Sequence, residues 1–196
     1  MNLALFDFDG TITDCDTFTP FVKKVIPAER MRWGRLLLAP SILGYRLGLV
    51  SSSRIRQQIV KVGLAGYSKD AIDEKGRLHA NNFIPPVLRP EAMERLQWHQ
   101  QQGDRIIIVS ASLDVYLKPW CEQMGFELSC AELEVADAKL TGRYCGGDCS
   151  GQAKAERVKA MVDLTQYNTV YAYGDTKEDD ELLALADEKY FQWRKV

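Results

Sequence analysis

Three short apolar runs, each delivering a polar group at its end, constrain the fold of this chain more tightly than any other feature. They are LALF before Asp7, RIIIVS ending at Ser110, and NTVYAYGD ending at Asp175. Continuous runs of Val, Ile, Leu and Tyr at this length suit strands buried on both faces of a parallel sheet. Helical periodicity fills the gaps. Met93 and Leu96 are three apart between Pro90 and Gly103, and Val158, Met161 and Val162 form a second stripe after Lys154. Alternating strand and helix predicts an α/β, doubly wound, mostly parallel sheet of Rossmann-like type, with ligands bound outside the carboxyl ends of the strands. All three polar endings fall at that edge.

The first gap is too long for a simple crossover. Residues 14–84 are therefore expected to form an inserted helical cap, leaving residues 1–13 and 85–196 as the core domain. The insert contains SSSRIRQQIVKVGL, where serines offer a cap and Ile55, Ile59 and Val62 share one helical face. NFIPPVLRP reads as a stiff return to the core. A chain of 196 residues accommodates one such domain with its insert.

Charge is divided unevenly along the chain. The net charge is only −2, which gives no general signal for nucleic-acid binding. Residues 22–67, however, hold nine basic side chains against the single acid Glu29, so this stretch carries about +8 and leaves about −10 elsewhere. A basic lobe facing an acidic one would draw an anion between them. Within the basic stretch, WGRLLLAPSILGYRLGLV (residues 33–50) is too short an apolar run to span a bilayer. It predicts a buried cap helix broken at Pro40, and its basic flanks also fit a helix lying on an anionic membrane surface.

Acid precedes any signal-peptide core at the N-terminus, and five cysteines make an odd set, so reduced thiols in a cytoplasm are expected. Cys145 and Cys149 lack the second spaced pair that a zinc site requires. Cys15 has no basic partner to activate it. His79 and His99 fall on polar stretches and read as surface residues. Trp33, Trp98, Trp120 and Trp193 read as packing residues, with Trp33 also suited to a membrane face.

The chemistry concentrates at the strand ends. Asp7 and Asp9 alternate on one strand face, so both carboxylates can reach one site. Held close, such a pair requires a cation or a shared proton. A hard cation such as Mg²⁺ takes oxygen ligands. Gly10 permits a sharp departure, and Thr11 offers a hydroxyl and an N–H. Asp175 enters the same crevice, followed by Asp179 and Asp180 at a helix start, where acids also serve as simple caps. Ser110 and Lys154 add a hydroxyl and an ammonium, which suit the oxygens of a transferring phosphoryl group.

In this order, DFDGT, a strand-ending Ser, a Lys and GDxxxD, the chain resembles the haloacid dehalogenase superfamily of phosphatases. The resemblance is closest to the branch containing phosphoserine phosphatase, whose helical cap lies between the first and second motifs. It implies that Asp7 is the nucleophile and a Mg²⁺ ligand, and that Asp9 is the general acid and base, contributing its backbone carbonyl to the metal. It further implies phosphate contacts from Thr11, Ser110 and Lys154, a metal ligand in Asp175, and support from Asp179 behind it. Ion-pumping members have threonine where this chain has Asp9, so Asp9 argues for rapid hydrolysis of the aspartyl-phosphate.

The resemblance leaves the substrate open among phosphomonoesters. Phosphoserine phosphatases carry a glutamate nine residues after the nucleophile, where this chain has Asp16, and a cap arginine for which Arg54 and Arg56 are the candidates. Asp14 and Asp16 also fit an acidic turn. Related hydrolases act on histidinol phosphate or phosphatidylglycerophosphate, and the latter would suit the basic, apolar cap at a membrane surface. A phospho-accepting regulatory domain uses a similar acidic cluster, but such domains are shorter, uncapped and phosphorylated at a mid-chain strand.

Overall fold

A computed structural model describes all 196 residues. Its centre is β1 (Leu3–Phe6), buried along its whole length and parallel to β2 (Arg105–Leu113) on one side and β5 (Val170–Gly174) on the other. Outside these lie β3 (Glu127–Ala136) and β6 (Glu188–Phe191), also parallel, with β4 (Lys139–Cys145) and β7 (Arg194–Lys195) antiparallel at the two edges. The seven-stranded order is β4-β3-β2-β1-β5-β6-β7. This is the doubly wound α/β sheet that the apolar runs predict. β2 continues three residues past Ser110, with a register shift against β3 between Ser110 and Leu113. Asp137 and Ala138, at φ +49° and +60°, make the two-residue β3–β4 turn, where both central residues need positive φ.

Side chains alternate across the sheet as strand geometry demands. On one face Phe6 and Ile108 meet α5 (Pro90–Gln102) and α6 (Asp114–Met124). On the other, Leu5, Ile107 and Val109 meet α7 (Gln152–Met161) and α8 (Asp180–Leu183). Between β1 and α5 come α1 (Phe18–Val25), α2 (Ala28–Arg46), α3 (Ser52–Leu64) and α4 (Lys69–Asn82). Phe21 of α1 and Ile72 of α4 join the same apolar cluster as Phe8 and Tyr116. Contact between α4 and α6 is close: a Cβ on Gly76 would lie 2.0 Å from the Val115 carbonyl oxygen.

Four expectations need correction. Helix α2 is neither broken at Pro40 nor buried: it runs on through the proline, and Gly34 is its only fully buried residue. Trp33, read as a packing residue, is 74% exposed. His79 and His99, read as surface residues, are 1% and 0% exposed. His99 bridges Asp104 Oδ2 at 2.8 Å and the Tyr173 hydroxyl at 2.9 Å. Polar neighbours obscured a helical stripe in both cases: Ala92, Leu96 and His99 share one face of α5, and Ile72, Gly76 and His79 share one face of α4.

Candidate active site

The carboxyl edge of the sheet brings the acids together. Asp7 extends the pairing of β1, its N–H donating to the Tyr173 carbonyl at 2.9 Å, and its carboxylate is buried. The chain then turns at Gly10, where φ is +83° and a Cβ would lie 2.2 Å from Asp175 Oδ2. Only glycine lets the loop pass this close to Asp175. Arg89 ties the loop down through Nε, which donates to the carbonyls of Gly10 at 3.1 Å and Thr13 at 3.2 Å.

Lys154 enters from the first turn of α7, buried, and links two acids. Its Nζ lies 2.5 Å from Asp7 Oδ1 and 2.5 Å from Asp179 Oδ1. Burial pushes the Asp7 carboxyl up and the Lys154 ammonium opposes this; Asp7 and Asp179 in turn overcome the burial of Lys154 and keep it protonated. Asp179 Oδ2 accepts the N–H groups of Asp175 at 3.1 Å and Thr176 at 3.0 Å, which fixes the turn after β5. The Asp175 carboxyl is raised by burial and then by the Asp179 charge. Carboxylate oxygens of Asp7, Asp175 and Asp179 all lie within 4.8 Å of one another. An all-oxygen donor set of this kind fits a hard divalent cation.

Asp9 is held apart from that cluster. Its Oδ1 accepts from the Thr17 N–H at 2.8 Å and the Thr17 hydroxyl at 2.5 Å, and its Oδ2 accepts from the Ser112 hydroxyl. Burial raises its carboxyl, against these hydrogen bonds. Thr17 is steadied in turn by His79, whose Nε2 lies 3.1 Å from the Thr17 carbonyl. Neither Thr17, Ser112 nor Arg89 stands out in the sequence, where His79 reads as a surface residue. Only the alternation of Ser110 and Ser112 along β2 signals any of them.

A cavity of about 610 Å³ opens above these groups, with Asp7, Asp9, Ser110, Lys154 and Asp175 on its wall. Ser110 Oγ accepts from the Ser112 N–H at 3.1 Å. Thr11 does not line the cavity; its hydroxyl donates to Asp175 Oδ1 at 3.3 Å. Asp16 borders the cavity, but its carboxylate caps α1 by accepting from Phe18 N at 2.9 Å. Arg56 also borders it and is already paired, with Asp148 Oδ2 at 2.8 Å and Glu178 Oε2 at 3.0 Å. Arg54 does not reach it and lies in a separate surface hollow beside Lys61 and Arg143. Burial, and then Asp14, raises the Cys15 thiol to about 11, which leaves it unreactive at neutral pH. Cys145 is exposed while Cys149 is buried against Ser129.

Residues 4–184 match the family described as haloacid dehalogenase-like hydrolase. The chain belongs to that family. It is 31% identical to Protein CicA of Caulobacter vibrioides (strain NA1000 / CB15N) over 97% of this chain and 85% of that protein. It is 28% identical to a histidinol-phosphatase of Neisseria meningitidis, over 95% of this chain and 88% of the relative. The structure of a substrate-bound phosphoserine phosphatase shares the fold, with a TM-score of 0.66 at 19% identity over 97% of this chain and 85% of the other. The chain is therefore a hydrolase of the haloacid dehalogenase type, and phosphatases are among its relatives.

Proposed function

We propose that this hydrolase is a Mg²⁺-dependent phosphomonoesterase that forms an aspartyl-phosphate on Asp7, with a small phosphorylated metabolite as substrate. The observation that carries this reading is the position of Asp7. Its carboxylate is buried, bonded to Lys154, close to Asp175 and Asp179, and open to the cavity that also holds Asp9. A nucleophile needs this fixed orientation and a nearby positive charge to meet a phosphoryl group.

In the first step an Asp7 carboxylate oxygen bonds to phosphorus, the bond from phosphorus to the leaving oxygen breaks, and Asp9 gives that oxygen its proton. In the second, Asp9 takes a proton from water, whose oxygen attacks phosphorus and releases Asp7 and inorganic phosphate. Lys154 and Ser110 hold phosphoryl oxygens. Asp7, Asp175 and the Asp9 carbonyl would hold Mg²⁺, which supplies charge neutralisation to the phosphoryl oxygens when bound. We read residues 14–84 as a cap over the cavity, with Arg56 of α3 fastening it to Asp148 and Glu178 rather than binding substrate. Asp7→Asn, assayed on an aryl phosphate with Mg²⁺ and with chelator, should abolish turnover at an unchanged melting temperature. Full activity in that variant would refute the assignment.

A further inference from the structure

Helix α2 presents its apolar side chains to solvent. At 19 residues it is about 28 Å long, and its inner edge of Met31, Leu38 and Ile42 covers α3 only loosely. Its outer edge carries Trp33, Leu36, Leu43 and Leu47, exposed by 74%, 68%, 58% and 64%. At 100° per residue these four fall within about 80° of arc, which makes them one stripe rather than scattered positions. Arg32, Arg35 and Arg46 line one flank, exposed and without an ion-pair partner. No Asp or Glu occurs between Glu29 and Asp70. Soluble monomers rarely expose an apolar stripe of this extent without a partner for it.

The charge identifies the partner. Glu29 is the one acid on this helix, so a second copy would set three arginines and one acid against the same set and leave a net positive seam, whereas anionic headgroups supply the missing negative charge. Arginines on such a flank reach phosphates while their stems and the leucines stay in the apolar boundary, and tryptophan favours that depth. No helix here is long and apolar enough to cross a membrane, so α2 would lie along the surface. We propose that the outer face of α2 docks on an anionic phospholipid bilayer. Trp33, Leu36, Leu43 and Leu47 enter the acyl boundary, and Arg32, Arg35 and Arg46 contact headgroup phosphates. Tyr45, near the end of the same helix but about 160° round from that stripe, lines the Asp7 cavity, so docking leaves the cavity on the side of α2 turned away from the bilayer.

The test is co-sedimentation of the full chain with phosphatidylcholine vesicles, with and without phosphatidylglycerol, at low and high salt. The expected result is binding to anionic vesicles at low salt, weaker by about tenfold or more on neutral vesicles. Leu36→Gln/Leu43→Gln and Arg32→Gln/Arg35→Gln should each lower partitioning by about tenfold or more, with aryl phosphate turnover and melting temperature unchanged. A chain that stays in the supernatant with anionic vesicles at low salt overturns the proposal. So does binding that ignores lipid charge and both double variants. A dimer in solution that Leu36→Gln/Leu43→Gln dissociates, without vesicle binding, would assign the face to a second copy instead. Turnover of the aryl phosphate is read separately, so a failure of the phosphatase reading is distinguishable from a failure of docking.

Discussion

His79 makes a pH-dependent contribution to stability that can be worked out from its surroundings. Its Nε2 faces a carbonyl, which can only accept, so Nε2 carries a proton. Nδ1 is buried with no hydrogen-bond partner, and Phe83, Phe21 and Tyr116 enclose the ring at centroid distances of 4.6, 5.3 and 5.0 Å. A second proton would sit on Nδ1 with nothing to receive it. Burial, with help from the Lys24 charge and against the Thr17 hydrogen bond, accordingly lowers the pKa from 6.5 to about 4.

Between these two values the unfolded chain takes up a proton that the folded chain refuses, so stability falls as pH falls. From a folded value near 4 and an unfolded value near 6.5, the loss relative to neutral pH is about 2 kcal/mol at about pH 5 and about 3 kcal/mol at about pH 4. The clean measurement compares wild type with His79→Gln by urea unfolding at a series of pH values. Glutamine keeps an N–H for the Thr17 carbonyl but does not titrate, and His99 and the carboxylates cancel in the comparison. The variant should be less stable at neutral pH by about 1–2 kcal/mol. That gap should close or reverse by about 2 kcal/mol near pH 5. A gap constant to within about 0.5 kcal/mol across this range would refute the neutral, partnerless state assigned to His79.

Lys154→Met should abolish turnover and, in chelator, lower stability by about 3–5 kcal/mol, because it leaves Asp7 and Asp179 facing each other in a buried site. Thermal unfolding should then show Mg²⁺ restoring more stability to this variant than to wild type; an equal or smaller Mg²⁺ effect would contradict that account. Gly10→Ala should remove nearly all Mg²⁺-dependent turnover, since its Cβ collides with Asp175 Oδ2 and its φ of +83° costs an alanine about 1–2 kcal/mol. Steady-state kinetics over a Mg²⁺ titration checks this, and wild-type turnover at saturating metal would show that the loop can move aside.

The three central strands and the acids at their ends could be read from the sequence because burial on both faces leaves a continuous apolar signature and because charge at its end is conspicuous; the outer strands, half-exposed, leave no such signature. Nor could the supporting groups be read. Thr17 and Ser112 carry no distinctive chemistry; Thr17 reaches Asp9 from 8 residues away and Ser112 from 103 residues away, both through the way the chain folds at this edge. Arg54 and Arg56 illustrate a limit of sequence proximity: two residues on a helix are about 200° apart, so one faces the cavity rim and the other faces away. The α2 segment reads as buried from its apolar run, which does not say which of its edges is covered. What matters is which edge the leucines occupy, and that depends on where α3 lies.

The division of labour among the acids follows from their hydrogen bonds. Asp179 has Oδ1 on the Lys154 ammonium and Oδ2 on two backbone N–H groups and the Thr176 hydroxyl. Four protein donors already face it, so neither of its oxygens is free of a protein partner before any cation arrives. Asp175 has one oxygen on the Thr11 hydroxyl and no protein donor on the other, and Asp7 has one oxygen on Lys154 and the other uncommitted. A cation entering the cluster therefore finds free oxygens on Asp7 and Asp175, while Asp179 acts by holding Lys154 and the turn that carries Asp175. Close proximity of three carboxylates alone would have suggested three equivalent ligands. The protein donors already on both Asp179 oxygens argue for two, with the third as their support.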